Sequence, residues 1–312
     1  MVMKLTAGEF QEIRQWLYRN ARPLELARWN YHFEQGDAAA VLEALSAYQN
    51  EDGGFGHALE ADSWNPNSTP LTTATAVERL LEIHWNGNGH PVVQGILNYL
   101  DSGADMENNS WANVVASNTN YPHAPWWNMA SDSTSRSTFN PTAILSGFLL
   151  KFAERDSSLF ERGLSIAKEM QSLFLQNPAI EMHPLICVLT LLDCIAEAQL
   201  CGEFNYGQLK DAAKKQITVL LERNAGDWSG YSCRPSAFIK SPDSLGYEDN
   251  AALLQRELDY LLEIRNPQGI WNLTWSWGSY EKEFAISEHW WKSHIAIENL
   301  LLLQSFGRLD RI

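Results

Sequence analysis

Apolar residues recur along this chain at intervals of three and four, and the strict alternation of a half-buried strand is nearly absent. The segment from Ala38 to Tyr48 places Val41, Leu42, Leu45 and Tyr48 on one helical face, and Thr72 to Ile83 does the same with Ala76, Leu80 and Ile83. Pro141 to Phe152 carries Ile144, Leu145, Phe148 and Phe152, with its proline in the first turn, where the missing amide hydrogen is not needed. Amphipathic helices of three to five turns are further predicted over Leu159 to Phe174, His183 to Leu200, Tyr206 to Glu222, Asn250 to Ile264 and Ser287 to Leu303. The segment from His183 to Leu200 is apolar nearly all round, which predicts an enclosed, inner helix.

Connections alternate in character. Asn86 to His90 and Arg155 to Ser157 are short, whereas residues 50–69, 102–139, 224–247 and 266–286 are long and rich in Gly, Asn, Ser and Trp. Loops of that length in a compact domain usually carry function, and their tryptophans speak against disorder. No linker divides the chain, so residues 1–312 read as one domain.

Three of the polar turns share a layout in which a helix end is followed by glycine and then an aromatic ring. They are Gln49-Asn50-Glu51-Asp52-Gly53-Gly54-Phe55, Arg265-Asn266-Pro267-Gln268-Gly269-Ile270-Trp271, and a shortened Arg223-Asn224-Ala225-Gly226-Asp227-Trp228. Gly226 and Gly269 are 43 residues apart, and Gly53 lies close to four such intervals upstream of Gly226. A period near 43 suits a repeated helix–turn–helix unit.

These residues resemble a known family. Gln49-x-x-x-Gly53-Gly54-Phe55 looks like the Gln-and-Trp repeat motif of the terpenoid-cyclase and protein-prenyltransferase superfamily, and most of all like its short bacterial members with squalene-cyclase or prenyltransferase repeats. The resemblance covers the turns, the helix alternation and the segment Trp290 to Gly307. It implies an all-α fold, an α/α toroid of about six helix pairs in inner and outer rings, with each turn stapling an outer helix to the next inner one. The catalytic motifs of that superfamily do not carry over. The chain has neither an Asp-Asp pair nor an Asp-x-Cys pair, so the aspartates that protonate squalene, the diphosphate motif of ionising synthases and the prenyltransferase zinc set are all missing.

Composition narrows the choice of partner. The 23 basic and 38 acidic residues give a net charge of −15 with no basic run, which repels nucleic-acid phosphates. The stretch from Met1 to Ile13 has no apolar signal core, and no stretch approaches a membrane span, so a cytoplasmic protein is expected. His183, Cys187, Cys194 and Cys201 fall on one helical stripe. Cys187 and Cys194 would lie about 10.5 Å apart along a straight helix, too far to share one ion. Neither a metal nor another cofactor is expected.

If the helix pairs form a ring, every long loop enters an inner helix from the same end, and the four loops converge on one mouth above a central cavity. The first offers His57, Glu60, Asp62 and Trp64, with Glu60 and Asp62 spaced as an acid/base pair or, alternatively, as part of a solvated turn. The second offers Trp111, His123, Trp126, Trp127, Asp132 and Arg136. Its Trp126–Trp127 pair either plugs a core or forms an aromatic wall. The third brings Tyr231 and Arg234, with Arg234 placed to receive a carboxylate or to close a structural ion pair. The fourth brings Trp271, Trp275 and Trp277, and Glu288 and His289 are expected to open the following helix as a base or a cap.

On this reading Glu60, Asp62, Glu288 and His289 are the candidate catalytic residues. His57, Trp64, His123, Trp126, Trp127, Tyr231, Arg234, Trp275 and Trp277 are the candidate substrate-binding ones. Glu60 and Asp62 are expected within reach of Trp126, Trp127, Trp275 and Glu288. The leading function is an enzyme acting on an apolar or isoprenoid-like small molecule in the central cavity. The alternatives are a carbohydrate-active hydrolase or lyase, and a non-catalytic binding protein.

Overall fold

The structure, a computed structural model, describes residues 2–129 and 138–310. Asp132 and Arg136 lie outside the described residues. Helix dominates, as the periodicity predicts. In chain order the α-helices are α1 (Ala7–Asn20), α2 (Pro23–Phe33), α3 (Ala38–Ser46), α4 (Pro70–Glu82), α5 (Pro91–Ser102), α6 (Thr142–Phe152), α7 (Ser158–Gln176), α8 (Met182–Glu197), α9 (Tyr206–Asn224), α10 (Tyr247–Glu263) and α11 (Glu281–Ser305). The strands among the described residues are two antiparallel dipeptides, β1 (Met106–Glu107) and β2 (Ser110–Trp111). No helix of the described residues is long and apolar enough to cross a membrane.

The residues group into two compact units. Unit 1 comprises residues 1–44 and 217–312, and unit 2 comprises residues 45–216. The divisions fall inside α3 and α9 rather than in a linker, which is why composition gives no sign of them.

Unit 1 is made from both ends of the chain. Helix α1 starts in a capping box, with Thr6 Oγ1 accepting from the Glu9 amide and Glu9 Oε2 accepting from the Thr6 amide at 2.8 Å. It buries Phe10, Ile13, Trp16 and Leu17 and, like α2, packs on α11. Leu5 donates to the Arg308 carbonyl and accepts from the Asp310 amide, so the segment before α1 lies beside the one after α11. The Arg308 guanidinium adds bonds to the Met3 carbonyl, Asp259 and Gln255. The end of α2 is clasped to α1 through Glu34, which accepts from Arg14, the Tyr18 hydroxyl and the Trp29 indole. Burial pushes the Glu34 carboxyl up, but these three donors outweigh it and hold the group at about 2, below the ordinary 4.5. That stabilisation is fully present above pH 4.5 and is lost as pH falls towards 2. Glu34→Gln is therefore expected to flatten the acid limb of a stability-against-pH curve recorded by urea unfolding. An unchanged limb would count against the clasp.

In unit 2 the most enclosed helix is α6, buried at ten of its eleven positions, with α7 and α8 packed against it and α4 and α5 contributing from other sides. The sequence favours α8 for that place. Its buried face is Leu185, Cys187, Val188, Leu191, Leu192, Cys194 and Ile195, while Ile186 and Leu189 are only partly covered. Gly147 lets α6 approach so closely that a β-carbon there would lie 3.0 Å from Cys194 Cβ.

The repeated turn is real at two of its three places. After α3, the Asn50 amide donates to the Gly54 carbonyl and the Gly53 amide to the Asn50 carbonyl, each at 2.9 Å, with Gly53 at φ +88°. After α10, Asn266, Ile270 and Gly269 repeat both bonds at 2.8 Å, with Gly269 at φ +81°. The third candidate differs. Gly226 has no left-handed backbone and lies two residues past α9, which runs to Asn224. Gly54 is likewise not left-handed. It is required because Ser68 and the Tyr99 ring leave no room for a β-carbon.

The first residue of each true turn reaches another helix. Gln49 Nε2 donates to the Gly53 carbonyl at 2.9 Å and to the Val92 carbonyl, in the first turn of α5, at 3.0 Å. Arg265 makes the equivalent reach to Glu9, in the first turn of α1, as an ion pair.

Candidate functional site

The first and second long loops come together within unit 2. His57 and Ala58 both adopt left-handed backbone, at φ +55° and +59°, and this tight bend turns the following segment inward. The Trp64 amide donates to the Pro122 carbonyl and the Ala124 amide to the Asp62 carbonyl, with Ser63 and His123 bridged between them. Glu60 and Asp62 are both buried there, at 8 % and 3 % exposure. Glu60 Oε1 accepts the Trp127 indole N–H at 3.0 Å, and Oε2 lies 3.3 Å from the Asp62 amide. The expected contact between the acidic pair and Trp127 is thus present.

Other polar side chains of the same two loops are well bonded. Asn65 donates to Ser117 and Asn118, at 2.8 and 2.9 Å, and Asn118 donates to the Trp127 carbonyl. His123 is buried, and its Nδ1 donates to the Tyr121 carbonyl at 2.6 Å, because a carbonyl only accepts. His57 is exposed and bonded to Asn50 Oδ1, on the outer side of the bend. Trp64 is half-buried, while Trp126 and Met129 are exposed at 44 % and 49 %.

The third and fourth loops meet within unit 1. The Tyr231 ring stands edge-on to Trp275, with centroids 5.9 Å apart, and Trp275 stands edge-on to Trp291 at 5.4 Å. Trp277 does not join them. At 2 % exposure it packs on Phe284 in the core, so its expected ligand-facing role is replaced by core filling. Arg234 lies 3.7 Å from Glu257, a fully buried carboxylate that also accepts from the Ser236 amide and hydroxyl. Burial raises the Glu257 pKa, and the bonds from Ser236 with the field of Arg234 counter it only in part.

Helix α11 corrects the expectation for Glu288 and His289. It begins at Glu281, six residues before the predicted start, so neither residue opens it. Glu288 lies two turns inside, paired with Lys292 at 2.7 Å, and His289 is exposed and stacks on Trp16 at 5.9 Å. The dipole argument for a base at the helix start therefore no longer applies to them.

Sequence reasoning missed a buried ionic network on the same helix. Arg28, at 0 % exposure, donates to His294 Nδ1 at 2.9 Å and to Glu298 at 3.1 Å, and Lys240 reaches the other oxygen of Glu298 at 3.2 Å. A guanidinium only donates, so His294 Nδ1 must accept and the ring proton sits on Nε2. Beside them Arg22 grips the buried Glu25 with two bonds of 2.7 Å. Burial pushes the Glu25 carboxyl up, but Arg22 and then Arg28 outweigh it and hold it below its ordinary value. The Trp291 ring packs edge-on to His294 at 5.5 Å, joining the network to the aromatic row.

Cys187 and Cys194 are buried, with burial pushing the Cys194 thiol up to about 12, while Cys201 is exposed. Among the described residues no three His, Cys, Asp or Glu side chains are grouped to hold a metal ion. Comparison of the chain with family models, with curated proteins and with solved structures finds no match.

Proposed function

We propose that the protein is an enzyme that transfers protons on a small, largely apolar molecule, with Glu60 and Asp62 as its acid and base. The observation that carries this reading is the burial of two carboxylates two residues apart, one of them fixed by the Trp127 indole. Water-poor surroundings and a fixed neighbour are what separate the roles of paired carboxylates. Trp126 and Met129, exposed in the adjoining loop, offer an apolar landing surface. The α/α-toroid expectation belongs to the same proposal. It is supported by the matching staples, since Gln49 reaches the first turn of α5 and Arg265 reaches the first turn of α1, as a repeat whose last member adjoins its first would require.

Carbohydrate cleavage is the second reading, favoured by the buried polar side chains Asn65, Asn118 and His123 in the same two loops. The test is conversion by the purified chain of linear and cyclic isoprenoid alcohols and hydrocarbons, followed by mass spectrometry. Glu60→Gln and Asp62→Asn are each expected to lower turnover by about a hundredfold or more, with the circular dichroism spectrum unchanged. Equal product from wild type and both variants would overturn the assignment. Turnover of oligosaccharides alone would transfer it to the second reading.

A further inference from the structure

We propose that the guanidinium of Arg234, in unit 1, anchors a binding site for a small molecule that bears a carboxylate. Arg14, Arg22, Arg28, Arg79, Arg162 and Arg308 each donate a hydrogen bond to a carboxylate of the chain itself. Arg234 does not. Its Nε stands 3.7 Å from Glu257, longer than a hydrogen bond, and its guanidinium donates no hydrogen bond to any described residue. The side chain is 26 % exposed, and none of its nitrogens is among the enclosed polar atoms of the described residues that lack a partner, so they open to solvent. The two Nη groups therefore form an accessible, unused fork, the shape that takes a carboxylate through two parallel bonds.

The fork is held in place from behind. Arg234 precedes Pro235, and its backbone is extended at φ −94° and ψ 158°, as a residue before proline requires. Its neighbours Cys233 and Pro235 are both buried. On the Nε side it faces Glu257, which is itself fully buried and fixed by the Ser236 amide and hydroxyl. A group positioned in this way loses little freedom on binding.

Charge selects the ligand. Glu298 takes bonds from Arg28 and Lys240, and the field of Lys240 reaches on to Glu257, which also faces Arg234. Three cations thus share two carboxylates, and the Arg22–Glu25 pair beside Arg28 adds one charge of each sign. A cationic ligand is repelled by that excess, and a neutral acceptor forms bonds about half as strong as charge-assisted ones. A phosphate dianion would feel the field of Glu257, and of a chain with net charge −15, twice over. A singly charged carboxylate is the match. The inference does not rest on the Glu60–Asp62 reading.

The test is NMR titration of the intact chain, with 15N in its arginine side chains, at low ionic strength. Acetate, pyruvate and benzoate are the probes, and benzamide is the neutral control. At least one carboxylate is expected to shift the Arg234 Nε–H signal saturably, with a Kd between about 0.1 and 10 mM, while benzamide leaves it in place. Calorimetry should show binding weakened about tenfold or more by Arg234→Gln. Arg234→Lys keeps a cation beside Glu257 and loses the fork, so it should fold as wild type does by circular dichroism and bind about threefold or more weakly. That variant carries the test if Arg234→Gln does not fold. Glu60→Gln should bind as wild type does. Absence of a saturable shift with all three carboxylates would overturn the proposal and leave Arg234 as the structural partner of Glu257. Binding indifferent to the Arg234 variants would overturn it as well, as would inorganic phosphate binding more tightly than every carboxylate.

Discussion

Gly53→Val is expected to destabilise the protein by about 3–5 kcal/mol, enough to unfold many domains outright. A β-carbon at Gly53 would fall on the backbone carbonyl of Gly95 in α5, and backbone cannot swing aside as a side chain can. The residue also sits at φ +88°, where a β-branched side chain is strained even in open space. The other two glycines of the repeat grade the effect. Gly269→Val suffers the strain of φ +81° but meets only Glu12, at 3.5 Å, so a loss of about 1–2 kcal/mol is expected. Gly226→Val meets nothing within 4 Å and has no left-handed backbone, so it should change stability by less than about 0.5 kcal/mol. Urea unfolding of the three variants should reproduce that order. Equal effects at all three would show that the turns are not distinguished as described.

Arg28→Met is the second variant with a large expected effect, a loss of about 3–5 kcal/mol. The methionine fills most of the volume, so the loss comes from charge. Glu298 loses the Arg28 bond while that from Lys240 stays, and Glu25 keeps Arg22 but loses the second positive field that offsets its burial. Adding Glu298→Gln should restore part of the loss, because the carboxylate left behind is then neutral. A double variant no more stable than the single one would place the cost in packing rather than in the ion network. Glu25 gives this region a pH dependence as well. With its folded pKa below the unfolded value of about 4.5, its stabilisation is complete above that pH and is lost as pH falls through the lower folded value.

The same network shows where sequence reading stops. Helix α2 buries Leu24, Glu25, Arg28 and Trp29 on one face. Two of those four are charged, so the face that packs on α11 carries no apolar periodicity and no helix is predicted there. Helix α5 escapes for a related reason. Gly95 interrupts its pattern, and that glycine is present because the Gln49 side chain occupies the place of a β-carbon. These two gaps arise where a tertiary contact overrides local preference, and partners 266 or more residues apart, such as Arg28 with His294 and Glu298, leave no mark in local spacing. Helix α1 is a third unpredicted helix, although Phe10, Ile13, Trp16 and Leu17 stripe one face and Thr6 with Glu9 forms a capping box, so there the signal is present and unread. The legible parts are those set by short-range chemistry. The eight apolar-striped helices and the Gly53 and Gly269 turns follow from periodicity and from the need for positive φ. The inward turn of Glu60 and Asp62 towards Trp127 is expected only through the loop-convergence argument, and the bend at His57 and Ala58 that produces it has no sequence signature.

The composition of unit 1 from the two ends of the chain carries a consequence for biosynthesis. Helices α1 and α2 leave the ribosome well before α11, on which they pack, and Glu9 waits for Arg265. Unit 2 lies wholly within the intervening 45–216 stretch and has its core-forming helices in hand much earlier. The order of emergence therefore favours a nascent chain in which residues 45–216 are ordered while α1 and α2 still expose Phe10, Trp16 and Trp29. Chaperone capture and proteolysis during translation should fall on that leading segment, and a ribosome stalled before α11 should present it unprotected.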